Sequence, residues 1–232
     1  MNEKPIFGFN FYRKKLPKNI TLLQFANYIY DRGARAIEIS CLKEVNGVFG
    51  YKPLIDAAHI LKKFQFVSIH ASNYVTNKEF LDKINKVSKI INLDAIVFHP
   101  NDIDDAKLIK SSKYPITIEN LDNKHDKYTT LSEMYNLATT LDKRMIIDVA
   151  HLFMINEDLN TWPIDKKIIN KTSHFHLSGV KHAVKKHGPL NDETADIIKL
   201  VSQFNKPIII EGSTRKIESV ANSIKIFLKY CK

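Results

Sequence analysis

Short apolar runs alternate with longer amphipathic stretches along nearly the whole chain. Eight runs rich in β-branched or aromatic residues recur about every 20 to 35 residues, the spacing of strands that alternate with helices. They cover residues 6–11, 36–40, 66–70, 95–99, 115–119, 144–148, 173–177 and 207–211. Their nearly continuous apolar character is typical of parallel strands that are buried on both faces.

The stretches between these runs carry the 3.6-residue periodicity of amphipathic helices. Thr21 and Thr130 stand where a helix N-cap is expected, each followed by apolar residues at helical spacing, and residues 217–228 show the same pattern. The stretches after the fourth and sixth runs are short, so we expect helices of one or two turns there.

The repeated strand–helix order predicts an α/β protein, a single (β/α)8 barrel spanning residues 1–232. A chain of 232 residues is long enough for one such barrel, and no Gly/Ser/Pro-rich linker divides it. An open eight-stranded sheet is the alternative.

The composition is that of a globular protein, with 44% hydrophobic and 26% charged residues. Cys41 and Cys231 lie far apart, with no spacing that indicates a thiolate metal site or a disulfide framework. The N-terminus lacks the order of a signal peptide, and no run of about 18 apolar residues could span a membrane. We therefore expect a cytoplasmic protein with no membrane association, and no protein partner is indicated.

The net charge of +10 invites a nucleic-acid interpretation, but its make-up weakens that inference. The chain contains 30 Lys and only 5 Arg, together with 30 Ile and 19 Asn. This joint excess follows from a base composition that favours A- and T-rich codons, whereas Arg is the residue that pairs in bidentate fashion with phosphates and base edges. We interpret most of the charge as compositional.

Ionisable residues stand at the C-terminal ends of six successive predicted strands. They are His70, His99, Glu119, Asp148, His176 and Glu211. The C-terminal face of a barrel is where active sites are built, and several buried carboxylates and imidazoles around one axis require a counter-ion. His174 shares a strand face with His176, so it either joins the site or lies in the core. His59 and His125 are expected at the surface.

These ligand types limit which metal ions can bind. Imidazole and carboxylate donors without thiolate suit Zn, Mn, Fe or Co, and an octahedral oxygen-rich variant would suit Mg or Mn. The sequence therefore predicts a divalent metal site at the C-terminal face of the barrel.

An ordered set of short motifs resembles the xylose isomerase-like barrel superfamily, and most of all its endonuclease IV branch. The motifs are HAS at 70–72, FHP at 98–100, IEN at 118–120, DVAH at 148–151, HFHLS at 174–178, KKHG at 185–188 and IIIEGS at 208–213. The resemblance covers almost the whole chain.

The resemblance implies up to three zinc ions. One would be held by His70, His99 and Glu119, and the second by Glu119 with Asp148, His176 and Glu211. The third would take His151, His187 and an acid two residues before His187. That position is Lys185, so the third ion is the least supported.

Two functions follow from the resemblance. The first is zinc-dependent phosphodiester hydrolysis on abasic or otherwise damaged DNA, with Glu119 and Glu211 as catalytic residues and Tyr74 and Lys185 contacting the substrate. The second is a sugar or hydroxy-acid isomerase or epimerase with one Mn, Mg or Co ion, in which Glu119 and Glu211 exchange a proton with the substrate and His151 contacts a substrate oxygen. The loops are compact, since Glu119 follows His99 by only 20 positions, and they suit a small substrate. A metal-binding scaffold without activity is a third hypothesis.

Overall fold

Eight parallel strands close into a barrel surrounded by helices, which confirms the predicted fold. The computed structural model describes residues 5–12, 20–40, 51–71, 77–154, 165–181, 185–212 and 216–231. The barrel strands are β1 (Phe7–Tyr12), β2 (Ala36–Ser40), β3 (Phe66–His70), β4 (Ala95–Phe98), β5 (Ile116–Glu119), β6 (Arg144–Asp148), β7 (Thr172–Leu177) and β10 (Ile208–Ile210). In the barrel, neighbouring strands follow the order β1-β10-β7-β6-β5-β4-β3-β2.

The barrel strands agree with the predicted runs to within one residue at either end, because each run is apolar on both faces and is bounded by polar or turn residues.

The helices are α1 (Leu22–Tyr30), α2 (Tyr51–Leu61), α3 (Lys78–Ser88), α4 (Ala106–Ser111), α5 (Leu131–Thr140), α6 (Val149–Met154), α7 (Lys166–Lys171), α8 (Ala195–Ser202) and α9 (Ile217–Tyr230). No helix within these described ranges is long and apolar enough to cross a membrane.

Local sequence signals set several helix ends. Thr21 and Thr130 each accept a hydrogen bond from the backbone of the third residue of α1 and α5, and the side chains of Gln24 and Glu133 complete two capping boxes. The helices after β4 and β6 are short, since α4, α6 and α7 have six residues each. Both expectations are confirmed.

The barrel interior changes from apolar to polar along its axis. Ala36, Phe66, Ala95 and Ile209 form a separate buried cluster, with Ile6 packed against it. Two residues further along their strands, in the direction of the carboxyl ends, lie the buried polar residues Glu38 and Ser68, and alternation along a strand keeps them on the same inward face. The apolar layer therefore closes one end of the barrel beneath a polar interior.

A short hairpin follows β7. Its two strands, β8 (Gly179–Lys181) and β9 (Lys185–Gly188), pair as an antiparallel sheet. Glycines allow this hairpin to pack close to the end of β10, since a Cβ added to Gly212 would lie 2.7 Å from the Gly188 carbonyl oxygen. Side-chain composition alone does not reveal such a backbone pairing.

Candidate metal centre

Glu119, the last residue of β5, stands between two groups of donor atoms at the carboxyl end of the barrel. Its Oε2 lies 2.8 Å from His70 Nε2 and 3.4 Å from His99 Nε2. Its Oε1 lies 3.2 Å from His176 Nδ1 and 3.9 Å from His151 Nδ1. Glu119 is buried, so its two oxygens are held toward different neighbours, as in a carboxylate that bridges two cations.

Six of the eight residues predicted as metal ligands lie in compact donor groups. One group contains His70, His99 and Glu119, and a second contains Glu119, Asp148, His176 and Glu211, with the donor atoms of each group within 4.8 Å of one another. These are the two sets that the resemblance implied for the first and second ions. Strand register helps to assemble the second group, because Asp148 of β6 pairs with His176 of β7.

The turn after β6 orients Asp148 and His151. The Asn120 side chain accepts a hydrogen bond from the Asp148 backbone N–H at 2.7 Å and donates one to its carbonyl at 3.1 Å. Asp148 Oδ1 in turn accepts from the His151 backbone N–H at 3.1 Å. His151 Nδ1 donates to the Asn120 carbonyl oxygen at 2.8 Å, so Nε2 is the ring nitrogen left for other partners.

The buried donors fit a divalent cation. Asp148 Oδ2 is buried and accepts no hydrogen bond from the residues that the structure describes. It lies 3.5 Å from His151 Nε2. A buried carboxylate oxygen without a hydrogen-bond donor is costly, and a cation would satisfy it. Imidazole and carboxylate donors together suit Zn and its first-row neighbours.

The structure describes the other predicted site residues less completely. His151 borders the second group without belonging to it. His187 and Lys185 lie on β9, whose backbone is described, and their side chains fall outside the described part. Tyr74 lies outside the described residues altogether. His59 and His125 are exposed, as expected.

Two interior residues, Asn10 and Glu38, belong to the site and were missed in the sequence. Asn10 Nδ2 donates to Glu38 Oε1 and to Glu211 Oε1, both at 2.8 Å. Glu38 also forms part of a donor group with His70, His176 and Glu211. The available signal was a polar residue in the middle of an apolar strand, since Glu38 interrupts AIEIS and Asn10 interrupts IFGFNF.

His174 lies deeper in the barrel than His176, among Glu38 and aromatic side chains. It is fully buried, its ring centroid is 4.8 Å from that of Phe66, and its Nε2 is 3.6 Å from Glu38 Oε2. Burial lowers the pKa of this histidine, so it stays neutral. His174 therefore lines the interior beneath the donor groups and is absent from all three of those found among the described residues.

The charges of the cluster shift the pKa values of its members in opposite directions. Burial by itself lowers the pKa of His70, but the surrounding carboxylates, led by Glu119, outweigh it and raise the pKa to about 9. The pKa of His176 is likewise raised well above its usual value, against burial, by Glu38, Glu211 and Glu119. Burial raises the pKa of Glu119, but His176 and His70 hold it well below its usual range. Protons on the histidines thus balance the carboxylates where no metal is bound.

We predict that metal-free protein loses stability as the pH rises from about 6.5 toward 9. The raised pKa of His70, from 6.5 to about 9, favours the folded state below the unfolded value, and this contribution is lost as the pH passes through the folded value. It amounts to roughly 3 kcal/mol, because each pKa unit corresponds to about 1.4 kcal/mol. Urea unfolding in a chelator, repeated across this pH range, measures it.

Bound zinc should reverse this trend, since coordination requires neutral imidazoles and competes with protons. The stabilisation conferred by saturating Zn²⁺ is therefore expected to grow with pH over the same range. A metal-free unfolding free energy that stays constant or increases between pH 6.5 and 9 would contradict the assignment of His70 as a protonated partner of Glu119.

Comparison with solved structures places the fold. The chain is similar to a sugar phosphate isomerase/epimerase from Parabacteroides distasonis, at 15% identity and a TM-score of 0.59, over 100% of this chain and 96% of the other. It is also similar to SacUVDE, at 13% identity and a TM-score of 0.60, over 96% and 98%. A third structure, phosphoribosyl anthranilate isomerase from Thermotoga maritima, matches at 14% identity and a TM-score of 0.55, over 97% of both chains.

No protein-family model matches the sequence, and no curated protein matches it. The structural neighbours share the barrel fold that the sequence predicts. The chain is therefore a (β/α)8 barrel. At these identities the likeness concerns the fold alone.

Proposed function

We propose that this protein is a metal-dependent phosphodiester hydrolase with two zinc ions at the carboxyl end of the barrel. The observation that carries the proposal is the placement of Glu119, whose two oxygens face separate donor groups. A one-metal enzyme has no need of His70 and His99 beside the second group. A third ion at His151 and His187 is less supported, because Lys185 stands where an acid is expected.

His70 and His99 would hold one ion with Glu119 Oε2, and Asp148, His176 and Glu211 would hold the other with Glu119 Oε1. Two such ions, when bound, polarise the phosphoryl group and stabilise the attacking and leaving oxygens. The protein fixes these ligands by burying them, since Glu119, Asp148 and His176 are each at most 1% exposed. Buried ligands cost little further ordering when the substrate binds.

In the reaction, a water oxygen replaces one ester oxygen on phosphorus. Glu211 is placed to orient this water or accept its proton, because its side chain is 11% exposed at the edge of the second group and Oε1 is anchored by Asn10. The departing ester oxygen takes up a proton from solvent. Glu119 stays ionised throughout, consistent with its lowered pKa.

We propose abasic or otherwise damaged DNA as the substrate, on the strength of the motif order shared with the endonuclease IV branch. The net charge of +10 supports a polyanionic substrate weakly. Lys185 and Tyr74 are the proposed substrate contacts, the first to phosphate and the second by stacking on a base.

A sugar or hydroxy-acid isomerase is the second candidate. His176 Nδ1 lies 3.2 Å from Glu119 Oε1 and 3.4 Å from Glu211 Oε1, so two carboxylates converge on one four-residue group that suffices for one Mn, Mg or Co ion. The two glutamates could then remove and return a proton beside a carbonyl. The sugar phosphate isomerase/epimerase among the structural neighbours supports this alternative.

Metal content separates the two candidates. We expect the purified protein to contain two Zn per chain by mass spectrometry, because each donor group requires its own ion to offset its carboxylates. A single Mn, Mg or Co per chain would support the isomerase. The same preparation should nick the strand that carries one abasic site in a duplex, and a chelator should abolish the nicking.

The matched control is the same duplex with an intact base, which should remain uncut. Absence of cleavage at the abasic site by protein with both ions bound would refute the hydrolase on this substrate.

A further inference from the structure

Glu38 is a buried carboxylate of β2 that contacts the candidate ligands from inside the barrel. It is fully buried, and both of its oxygens accept hydrogen bonds. Oε1 accepts from Asn10 Nδ2 at 2.8 Å, and Oε2 accepts from Ser68 Oγ at 2.9 Å and lies 3.2 Å from His176 Nε2. A carboxylate so fully hydrogen-bonded has little capacity left for a metal.

The His176 ring is held between Glu38 on one side and the donor groups on the other. Its Nδ1 faces Glu119 and Glu211, at 3.2 and 3.4 Å, whereas its Nε2 faces Glu38. In the neutral ring that a metal requires, donation of Nε2–H to Glu38 leaves the lone pair on Nδ1. Metal-bound histidines usually donate their other N–H to a carboxylate or carbonyl, which fixes tautomer and orientation.

Asn10 extends this arrangement to Glu211. Both protons of its Nδ2 are used, one toward Glu38 Oε1 and one toward Glu211 Oε1. Because Glu38 accepts one of these bonds, it fixes the rotation of the Asn10 amide and with it the donor that anchors Glu211. Ligands from β7 and from the end of β10 are therefore positioned by one residue of β2.

We propose that Glu38 is a positioning residue that sets the tautomer of His176 and, through Asn10, the orientation of Glu211, so that both are preorganised for the metal. This inference rests on the metal site of the proposed function. In this role Glu38 contacts the edge of the His176 ring that faces away from the ion. The alternative is that Glu38 is itself a ligand in the group with His70, His176 and Glu211.

Glu38→Gln tests the proposal, because glutamine keeps the shape but replaces one acceptor oxygen by an NH₂ group. With that group toward His176, Nε2 becomes an acceptor and Nδ1 carries the proton, so ligation by Nδ1 requires the proton to move and this hydrogen bond to be lost, which weakens metal binding. With it toward Asn10, two donors meet unless Asn10 turns its amide, and then Glu211 loses its hydrogen bond. Either orientation disturbs a ligand.

The measurement is Zn²⁺ affinity by competition with a chromophoric chelator, with the ion count by mass spectrometry and the Co²⁺ absorption spectrum of the folded proteins. We expect Glu38→Gln to bind the same number of ions with affinity lowered about 10- to 100-fold. Ser68→Ala, which removes only one hydrogen bond to Glu38, should lower affinity less. Glu79→Gln on the exposed face of α3 is the matched control and should bind as the wild type does.

Each outcome decides the proposal. Unchanged affinity in folded Glu38→Gln would overturn it, as would a lower unfolding temperature without any change in Zn²⁺ affinity, which would indicate a purely structural role. Loss of an ion would also overturn it and would make Glu38 a ligand. If Glu38→Gln does not fold, Ser68→Ala decides, and unchanged affinity there overturns the proposal. A wild-type protein that binds no divalent metal would instead refute the proposed function itself.

Discussion

Glu119→Gln is expected to lower the rate of cleavage at an abasic site by about 10³-fold, the upper end of the effect of removing one group that stabilises transition-state charge. Glutamine has the volume of glutamate, but it offers one oxygen and an NH₂ group that cannot bind a cation. Since Oε1 and Oε2 face different donor groups, one of the two ions loses its shared ligand whichever way the amide turns.

Cleavage rate and zinc content of the purified variant measure this prediction together. Zinc content should fall to half of the wild-type value or less. Glu79→Gln makes the same chemical change on α3, where the side chain is 74% exposed and pairs with Lys83, and it should retain full activity. A Glu119→Gln enzyme with both ions and wild-type cleavage would show that Glu119 does not bridge them.

The variant also changes the stability of the metal-free protein. His70 and His176 hold their protons because carboxylates surround them, with Glu119 prominent for both. Without that charge, burial favours the neutral rings, and the loss of stability between pH 6.5 and 9 should become smaller. Circular dichroism at each pH checks that the variant is folded before its unfolding free energy is measured.

The barrel could be predicted because its signals are local. Each strand is a short apolar run, and α1 and α5 begin at threonines whose capping partners lie three residues away. The candidate ligands could be located because parallel strands place their carboxyl ends at one face, so residues such as His70 and Asp148 converge. Motif order then added the expected pairing of ligands with ions.

The polar contacts inside the barrel and the β8–β9 pairing could not be predicted, because they depend on contacts between residues distant in sequence. Glu38 is 138 positions from His176 in the chain, and nothing in the AIEIS run shows that its carboxylate meets that imidazole. The pairing of β8 with β9 likewise depends on backbone register. Polar residues inside a barrel strand have no local signature of their partner, because the partner is set by the closure of the barrel.

His99→Ala distinguishes the two candidate functions most directly. His99 follows β4, its Nε2 lies 3.4 Å from Glu119 Oε2, and it belongs only to the donor group of the first ion. In a two-metal hydrolase its removal should lower cleavage by about 10²- to 10³-fold, with one ion per chain lost. In a one-metal isomerase the group of Glu119, Asp148, His176 and Glu211 stays complete, so activity and metal content should change little.

The experiment compares His99→Ala with His59→Ala, which removes an exposed histidine of α2 that belongs to none of the donor groups and should behave as the wild type. Zinc content and cleavage rate are measured on the same preparations. The reason is that the His99 side chain is 31% exposed, so the first site loses its ion more easily than the buried second site. Since His70 and Glu119 remain, high Zn²⁺ should restore part of the lost activity by refilling the weakened site. Full hydrolysis by a His99→Ala protein with a single ion would contradict the two-metal assignment, and unchanged content of two ions would remove His99 from the ligand set.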